Sequence, residues 1–456
     1  MTIDPSIFKA YDIRGIVGTS LTIEGVKLIG KAIGSHVENG KPICIGRDGR
    51  LSGPSIVTAL VEGIVSTGTD VIDIGLVTSP ALYFSTHELQ TGNGVMVTGS
   101  HNPPEYNGLK MVLGGHAIYG SQIQDLLKLI KNGAFNTGQG KVTEIEIDEQ
   151  YKNCIKNDIQ LARPMKVSID CGNGVAGLYA SEIFKSIGCD VSELFCEVDG
   201  NFPNHHPDPS KPSNLKDIIK DVAEGESELG LAFDGDADRL GVVTKNGEII
   251  YPDRLMMMFA DDLLTRHQNA EIIYDVKCSR DLGKWIIERG GRPKMWKTGH
   301  SLIKAEMKLS QILLGGEMSG HFFFKERWFG FDDGIYAGAR LLEYLSKQPS
   351  IEQTFKELPK SISTPELQIE CAQGENFELT EQLKDSDCYA TAKERITMDG
   401  IRVEYQDGFG LARASNTTPT IVLRFEADTN SALKRIMSEF QSAIAKVAPH
   451  LSFPKN

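Results

Sequence analysis

The sequence predicts an α/β chain of four domains: three similar mixed α/β sandwich domains with sheets covered by helices, plus a C-terminal α+β domain. Two observations carry this expectation. Three stretches repeat one grammar, a short apolar strand followed by a glycine-bearing loop with reactive side chains. They are Val95-Met96-Val97 into TGSHNPP (98–104), Leu229 to Phe233 into DGDADR (234–239), and Ile312-Leu313-Leu314 into GGEMSGH (315–321). Apolar strands without alternation belong to sheets covered on both faces. Beyond residue 361 the pattern changes. Ile401 to Tyr405 and Ile421 to Phe425 alternate, which reads as antiparallel strands with one wet face, and an amphipathic helix follows with Leu433, Ile436, Met437, Phe440 and Ile444 on one stripe.

Helices are expected between the strands. In SGPSIVTALVEGIV, Ser52 reads as the N-cap and Pro54 lies in the first turn, with Ile56, Leu60, Gly63 and Ile64 on one face. Leu215, Ile218, Ile219 and Val222 keep helical spacing, as do Leu255, Met258, Phe259 and Leu263. These are core positions. The resulting boundaries give domains 1–146, 147–248, 249–361 and 362–456, one more than the roughly three that 456 residues suggest by length.

Composition narrows the function. The net charge of −13 disfavours nucleic acid or an anionic membrane as partner, since both need a basic footprint. It leaves room for a small anionic substrate if cations gather in a cleft. The first residues carry charge early, so no signal peptide is expected, and no apolar run is long enough to span a bilayer. The 8 cysteines form no C-x-x-C pair, which points to a reducing cytoplasm.

DGDADR places Asp234, Asp236 and Asp238 on a tight loop. Three crowded carboxylates need a cation, and all-oxygen ligation suits Mg²⁺. An EF-hand is excluded, because its sixth and twelfth positions would be Arg239 and Lys245 instead of Gly and Glu. In TGSHNPPEYNGLK, Ser100 follows a strand on a turn stiffened by Pro103-Pro104, without the G-x-S-x-G elbow of acyl hydrolases. His101 is adjacent, which ordinarily points the two side chains apart. His205, His206 and Asp208 in NFPNHHPDPS read as a rigid proline-rich loop in preference to a metal site.

Six segments in order, FKAYDIRG (8–15), TGSHNPPEYNGLK (98–110), DGDADR, KTGHSLIK (297–304), GGEMSGH and RASNTTP (413–419), together resemble the α-D-phosphohexomutase superfamily, in its bacterial phosphomannomutase/phosphoglucomutase form. The resemblance covers the whole chain. It implies a central cleft in which Ser100 carries a phosphoryl group, with Mg²⁺ held by Ser100, Asp234, Asp236 and Asp238. It implies transfer to a hexose phosphate, a bound sugar 1,6-bisphosphate, and return of the other phosphoryl, in a monomer or homodimer. Arg14, Lys110, Arg239, His300 and His321 are implied in orientation and proton handling. Glu317 and Ser319 would read sugar hydroxyls, and Arg413, Ser415, Asn416 and Thr417 would clamp the phosphate that is not reacting. Tyr11, His101 and Lys277 would support substrate binding. The four domains would then bear the phosphoserine, the metal, the sugar-reading loop and the phosphate clamp in turn. Rivals are a phosphoglucosamine mutase, a metal-dependent sugar phosphatase, and a non-catalytic relative.

Overall fold

The computed structural model describes residues 3–37, 40–416 and 418–454. Among these, the strands form four sheets in chain order, of seven, five, four and six strands. In the first, the strand Gly94–Val97 runs parallel to Ile43–Arg47 and antiparallel to Tyr106–Leu113, and all four of its residues are buried. Its end therefore delivers the loop 98–104 to the middle of the molecule.

The helices Ile23–His36 and Gly53–Val65 cover one face of this sheet, with Ile56, Leu60, Gly63 and Ile64 buried. Ser52 precedes the second helix but does not cap it. Its backbone is already helical, so its hydroxyl cannot fold back, and it accepts instead from Asn107 Nδ2 at 2.9 Å. The helix Ser79–Glu88 covers the other face. One apolar core runs from Cys44 and Met96 past Phe84 into Leu231, Phe259 and Ile335, so the first three sheets share an interior.

In the second sheet, Leu229–Phe233 and Leu240–Thr244 pair antiparallel, which makes DGDADR the turn of a buried hairpin. The helices Lys216–Glu224 and Pro252–Leu264 bury the expected Ile218, Val222, Leu255, Met258, Phe259 and Leu263. In the third sheet the expected strand at 312–314 is displaced: it spans Leu314–Gly316. The two glycines are part of the strand because it packs closely, and a Cβ on Gly316 would lie 2.4 Å from Met256 Sδ.

The fourth sheet has the expected antiparallel strands, at Ile401–Tyr405, Gly408–Ala414 and Thr420–Ala427, backed by the helix Asn430–Val447. The wet face is absent. Thr420–Ala427 is buried throughout, and its charged side chains meet the third unit. Arg402 donates to Val276 O at 2.6 Å and Cys278 O at 2.7 Å, Arg424 donates to Lys277 O at 2.7 Å, and Ser279 donates to Glu426 at 2.9 Å. Polar alternation here marks a contact between domains. Arg424 also lies 3.3 Å from Asp253, both side chains almost fully buried. Truncating one partner of a buried pair strands the other charge, so Arg424→Ala is expected to cost about 3–5 kcal/mol in urea unfolding. A change below 1 kcal/mol would show that this contact does not hold the fourth unit in place.

Candidate active site

Ser100 has a left-handed backbone, φ 50°, which non-glycine residues rarely adopt. Arg50 holds it there. This buried guanidinium donates to the carbonyls of Ser100 (2.8 Å), Asn102 (2.6 Å), Pro103 (2.6 Å) and Tyr106 (2.9 Å). Asp48 pairs with Arg50 at 3.2 Å and accepts from Thr98 Oγ1 at 2.7 Å, while Thr98 Oγ1 accepts from Ser100 N at 2.7 Å. Gly99 must lack a side chain, because a Cβ would sit 2.4 Å from Arg50 Cζ. The turn places Ser100 Oγ 3.1 Å from Asp234 Oδ2 and 3.1 Å from His101 Nδ1. Adjacent side chains expected to diverge are thus brought together by the left-handed backbone of Ser100 itself. Burial, reinforced by Arg239 and Arg14, pushes the His101 imidazole well below its ordinary range, so the ring is neutral.

Asp234, Asp236 and Asp238 are fully buried, with ligand oxygens within 4.8 Å of one another. Lys110 bridges Asp236 at 2.6 Å and Asp238 at 2.5 Å, and Ser79 Oγ donates to Asp236 at 2.5 Å. Burial works against the Lys110 charge, yet Asp236 and Asp238 raise its ammonium well above the usual value; Lys110 in turn overcomes burial to lower Asp236. Asp234 goes the other way: burial, then Asp238 and Asp236, push its carboxyl well up. Oδ1 of Asp236 and Oδ1 of Asp238 are buried without a hydrogen-bond donor. Unpartnered oxygens and a carboxyl driven toward protonation are the signature of a missing positive charge, and the all-oxygen set suits a hard divalent cation.

Arg239 and His321 form an isolated antiparallel bridge that joins the aspartate turn to the third unit. Arg239 donates through Nε to His321 Nε2 at 3.0 Å, and His321 Nδ1 lies 3.0 Å from Asp332 Oδ2. Nε2 is therefore the acceptor in that contact, and Nδ1 is the nitrogen turned toward Asp332. His300 stacks on His321 with centroids 5.4 Å apart, its Nδ1 3.6 Å from Asp332. Burial and Lys304 push the His300 imidazole well below its usual range. Lys304 meets Asp332 at 2.7 Å, and it and the imidazoles outweigh burial to hold that carboxyl well below the carboxylate range. Arg14 donates to Asn102 and pairs with Asp12, while its buried Nε has no hydrogen-bond partner.

Glu317 closes the turn 317–320 beside these rings and accepts from Gly299 N at 2.5 Å; burial raises its carboxyl. Ser319 is half-buried on the same turn. On the fourth unit, Arg413 donates to Asp399 at 3.0 Å, and Lys277 pairs with Glu366 at 2.8 Å across the boundary. Ser415 Oγ accepts from Thr418 N at 3.2 Å. Thr417 lies outside the described residues. Tyr11 donates to Thr298 O at 2.7 Å and accepts from Asn416, so one phenol links the first, third and fourth units.

Contacts thus connect sequence-derived residues of all four units, Ser100 with Asp234, Arg239 with His321, and Tyr11 with Thr298 and Asn416. The structure adds Asp48, Arg50, Asp332, Lys304 and Asp399. The first pair sits in GRDGR after a strand, a signal like that of the other loops; Lys304 closes the KTGHSLIK segment without being singled out by it, and Asp332 and Asp399 have no motif of their own. His205 and His206 take separate partners, Asp170 at 3.0 Å and the carbonyl of His101, so this loop braces His101.

Comparison with known proteins agrees with this arrangement. Profiles of phosphoglucomutase/phosphomannomutase alpha/beta/alpha domains I, II and III match residues 5–137, 149–247 and 251–362, and that of the C-terminal domain matches 366–443. The chain is 54% identical to a phosphoglucomutase of Neisseria gonorrhoeae, covering 99% of each. It is 53% identical to a phosphomannomutase/phosphoglucomutase of Pseudomonas aeruginosa, covering 99% of this chain and 98% of the relative. A solved phosphoglucomutase/phosphomannomutase family protein from Burkholderia thailandensis superposes with a TM-score of 0.95 at 50% identity over 100% of both chains. The chain belongs to the phosphoglucomutase/phosphomannomutase family.

Proposed function

We propose that the chain interconverts hexose 6-phosphate and hexose 1-phosphate, with Ser100 Oγ as the phosphoryl carrier. The observation that carries this reading is the placement of Ser100 Oγ 3.1 Å from Asp234, one of three buried carboxylates clustered on one turn. The bond from phosphorus to Ser100 Oγ breaks as a sugar hydroxyl oxygen bonds to phosphorus, and the hydroxyl proton passes to a base in the site. The resulting sugar 1,6-bisphosphate turns over, and its other phosphoryl returns to Ser100. A hydrolase would need neither Glu317 and Ser319 nor Arg413, Ser415, Asn416 and Thr417, which speaks against the phosphatase. Mannose and glucose are the sugars favoured, and relatives named for both support them over glucosamine.

Asp234, Asp236 and Asp238, with an oxygen on Ser100, would hold Mg²⁺, which when bound neutralises charge on the phosphoryl group. Arg14, Lys110 and Arg239 surround the same space, and phosphoryl transfer depends mainly on such positioning and charge. His300 and His321 hold or accept protons at the sugar, and the neutral His300 suits an acceptor. Tyr11, His101 and Lys277 orient the substrate. Domain limits near 146, 248 and 361 belong to this reading, as does a cytoplasmic setting, supported by free thiols and by the absence, among the described residues, of a helix long and apolar enough to cross a membrane.

Ser100→Ala is expected to lower turnover at least roughly 10³-fold in coupled assays with glucose 1-phosphate and mannose 1-phosphate. Normal turnover, or inorganic phosphate as the main product of the intact enzyme, would overturn the reading. Chelation with EDTA should abolish activity and Mg²⁺ restore it, with a rise in melting temperature on metal addition that Asp236→Asn removes. Arg50→Lys keeps the charge but loses the fork that fixes the Ser100 turn. It should lower kcat by about 10²-fold with KM little changed, because misplacement of about 1 Å has that cost.

A further inference from the structure

A cavity of about 440 Å³ lies between the first and third units, and none of the residues assigned above to phosphoryl transfer or substrate binding lines it. One wall is the end of the helix Ser79–Glu88 and the turn at Gly115 and His116. The other is the helix His300–Ser310 with the segment 325–331. Its lining contains Lys304, Lys308 and Lys325, two histidines and four phenyl or phenol rings, but no carboxylate, although the chain has 61 Asp and Glu and a net charge of −13. A crevice formed only because two domains meet would be expected to share the acidic character of the surface.

The two outer lysines rest on neutral acceptors. Lys308 donates to Gly115 O at 2.9 Å, and Lys325 donates to Gln311 Oε1 at 2.8 Å. Gln311 joins them, since its amide also donates to Lys308 O at 2.7 Å. Beside the ammonium groups, on the same wall, is an aromatic cluster. Phe329 and Phe331 lie parallel with centroids 5.8 Å apart, His87 stands 5.0 Å from Phe329, and Phe329 is 38% exposed. Burial and Lys308 lower the His87 imidazole, so this ring presents a neutral face.

We propose that this cavity binds a small anion bearing a planar aromatic ring, of the nucleoside monophosphate class, with the ring against Phe329, Phe331 and His87 and the phosphate at Lys308 and Lys325. The volume falls within the span of about 300–1,000 Å³ of small-molecule sites, and an aromatic lining with a few placed charged groups is their usual composition. Lys304 connects the cavity to the cleft. Its ammonium lies 4.3 Å from the Tyr83 ring centroid in the cavity wall and 2.7 Å from Asp332, whose other oxygen faces His321. The charge of a phosphate held at Lys308 and Lys325, in the same cavity as Lys304, weakens the hold of Lys304 on Asp332 and thereby alters the two imidazoles, so occupancy changes turnover.

The test is calorimetric titration of the full chain with adenosine 5′-monophosphate. Saturable binding to one site is expected, not displaced by saturating glucose 1-phosphate, and at least tenfold weaker for adenosine or inorganic phosphate alone. The double variant Lys308→Glu, Lys325→Glu should bind at least tenfold more weakly while melting normally and turning over sugar phosphate at the native rate without nucleotide. Absence of saturable binding, displacement by glucose 1-phosphate, equal affinity for adenosine, or unchanged affinity in the double variant would each overturn the site. With the site saturated, kcat or KM should shift at least twofold, and an unaltered rate would overturn the coupling through Lys304.

Discussion

Repulsion among three buried carboxylates is the constraint on which the cleft depends. Asp234, Asp236 and Asp238 sit on one hairpin turn with no exposure to water, a cost that only opposite charge can offset. The compensating groups come from elsewhere in the chain. Lys110 and Ser79 belong to the first unit, and both touch Asp236. Arg239 pairs with Asp234 at 3.7 Å and reaches the third unit by donating to His321. The contacts that neutralise the site are thus also contacts that join the domains. Ser100 is drawn to Asp234 by the same geometry, which is why its hydroxyl faces the position where a cation would sit.

Most of the residues with chemistry in their motifs were legible, because reactive groups sit where strands end and strand ends are marked by apolar runs giving way to glycine. What was not legible depends on partners far away in the chain. Arg50 reaches Ser100 and Asn102 from about fifty residues upstream, and nothing in its own surroundings names those carbonyls. Asp332 follows a phenylalanine in a plain acidic pair, and only the fold sets it between Lys304 and the imidazoles. The pairing of Ser100 with His101 was missed because adjacent side chains diverge on an extended backbone, whereas Ser100 is left-handed. Alternation at Thr420–Ala427 correctly distinguished two faces of a strand, but alternation reports polarity and does not say whether the polar face meets water or another domain. Glycines 315 and 316 read as loop because glycine usually ends a strand; here close packing, of Gly315 against Ile273 and Met307 and of Gly316 against Met256, requires them within it.

The two kinds of interface divide the labour of the cleft. The first three sheets share one apolar interior, so Ser100, the aspartates and Glu317 stand on a single packed body. The fourth unit is attached differently. Its contacts to the third are directed hydrogen bonds and buried charges from Arg402, Arg424 and Glu426, with only a small apolar patch at Val276, Phe409 and Leu411. Its link to the first is the Tyr11 phenol. Polar interfaces of this kind are where relative domain motion is the default expectation. Transferring a phosphoryl group requires a fixed geometry at Ser100 to within a fraction of an ångström, whereas holding a substrate that must present each end in turn requires a clamp that can release and regrip. A tightly packed platform suits the first demand, and a polar boundary such as that of the fourth unit is the kind that suits the second.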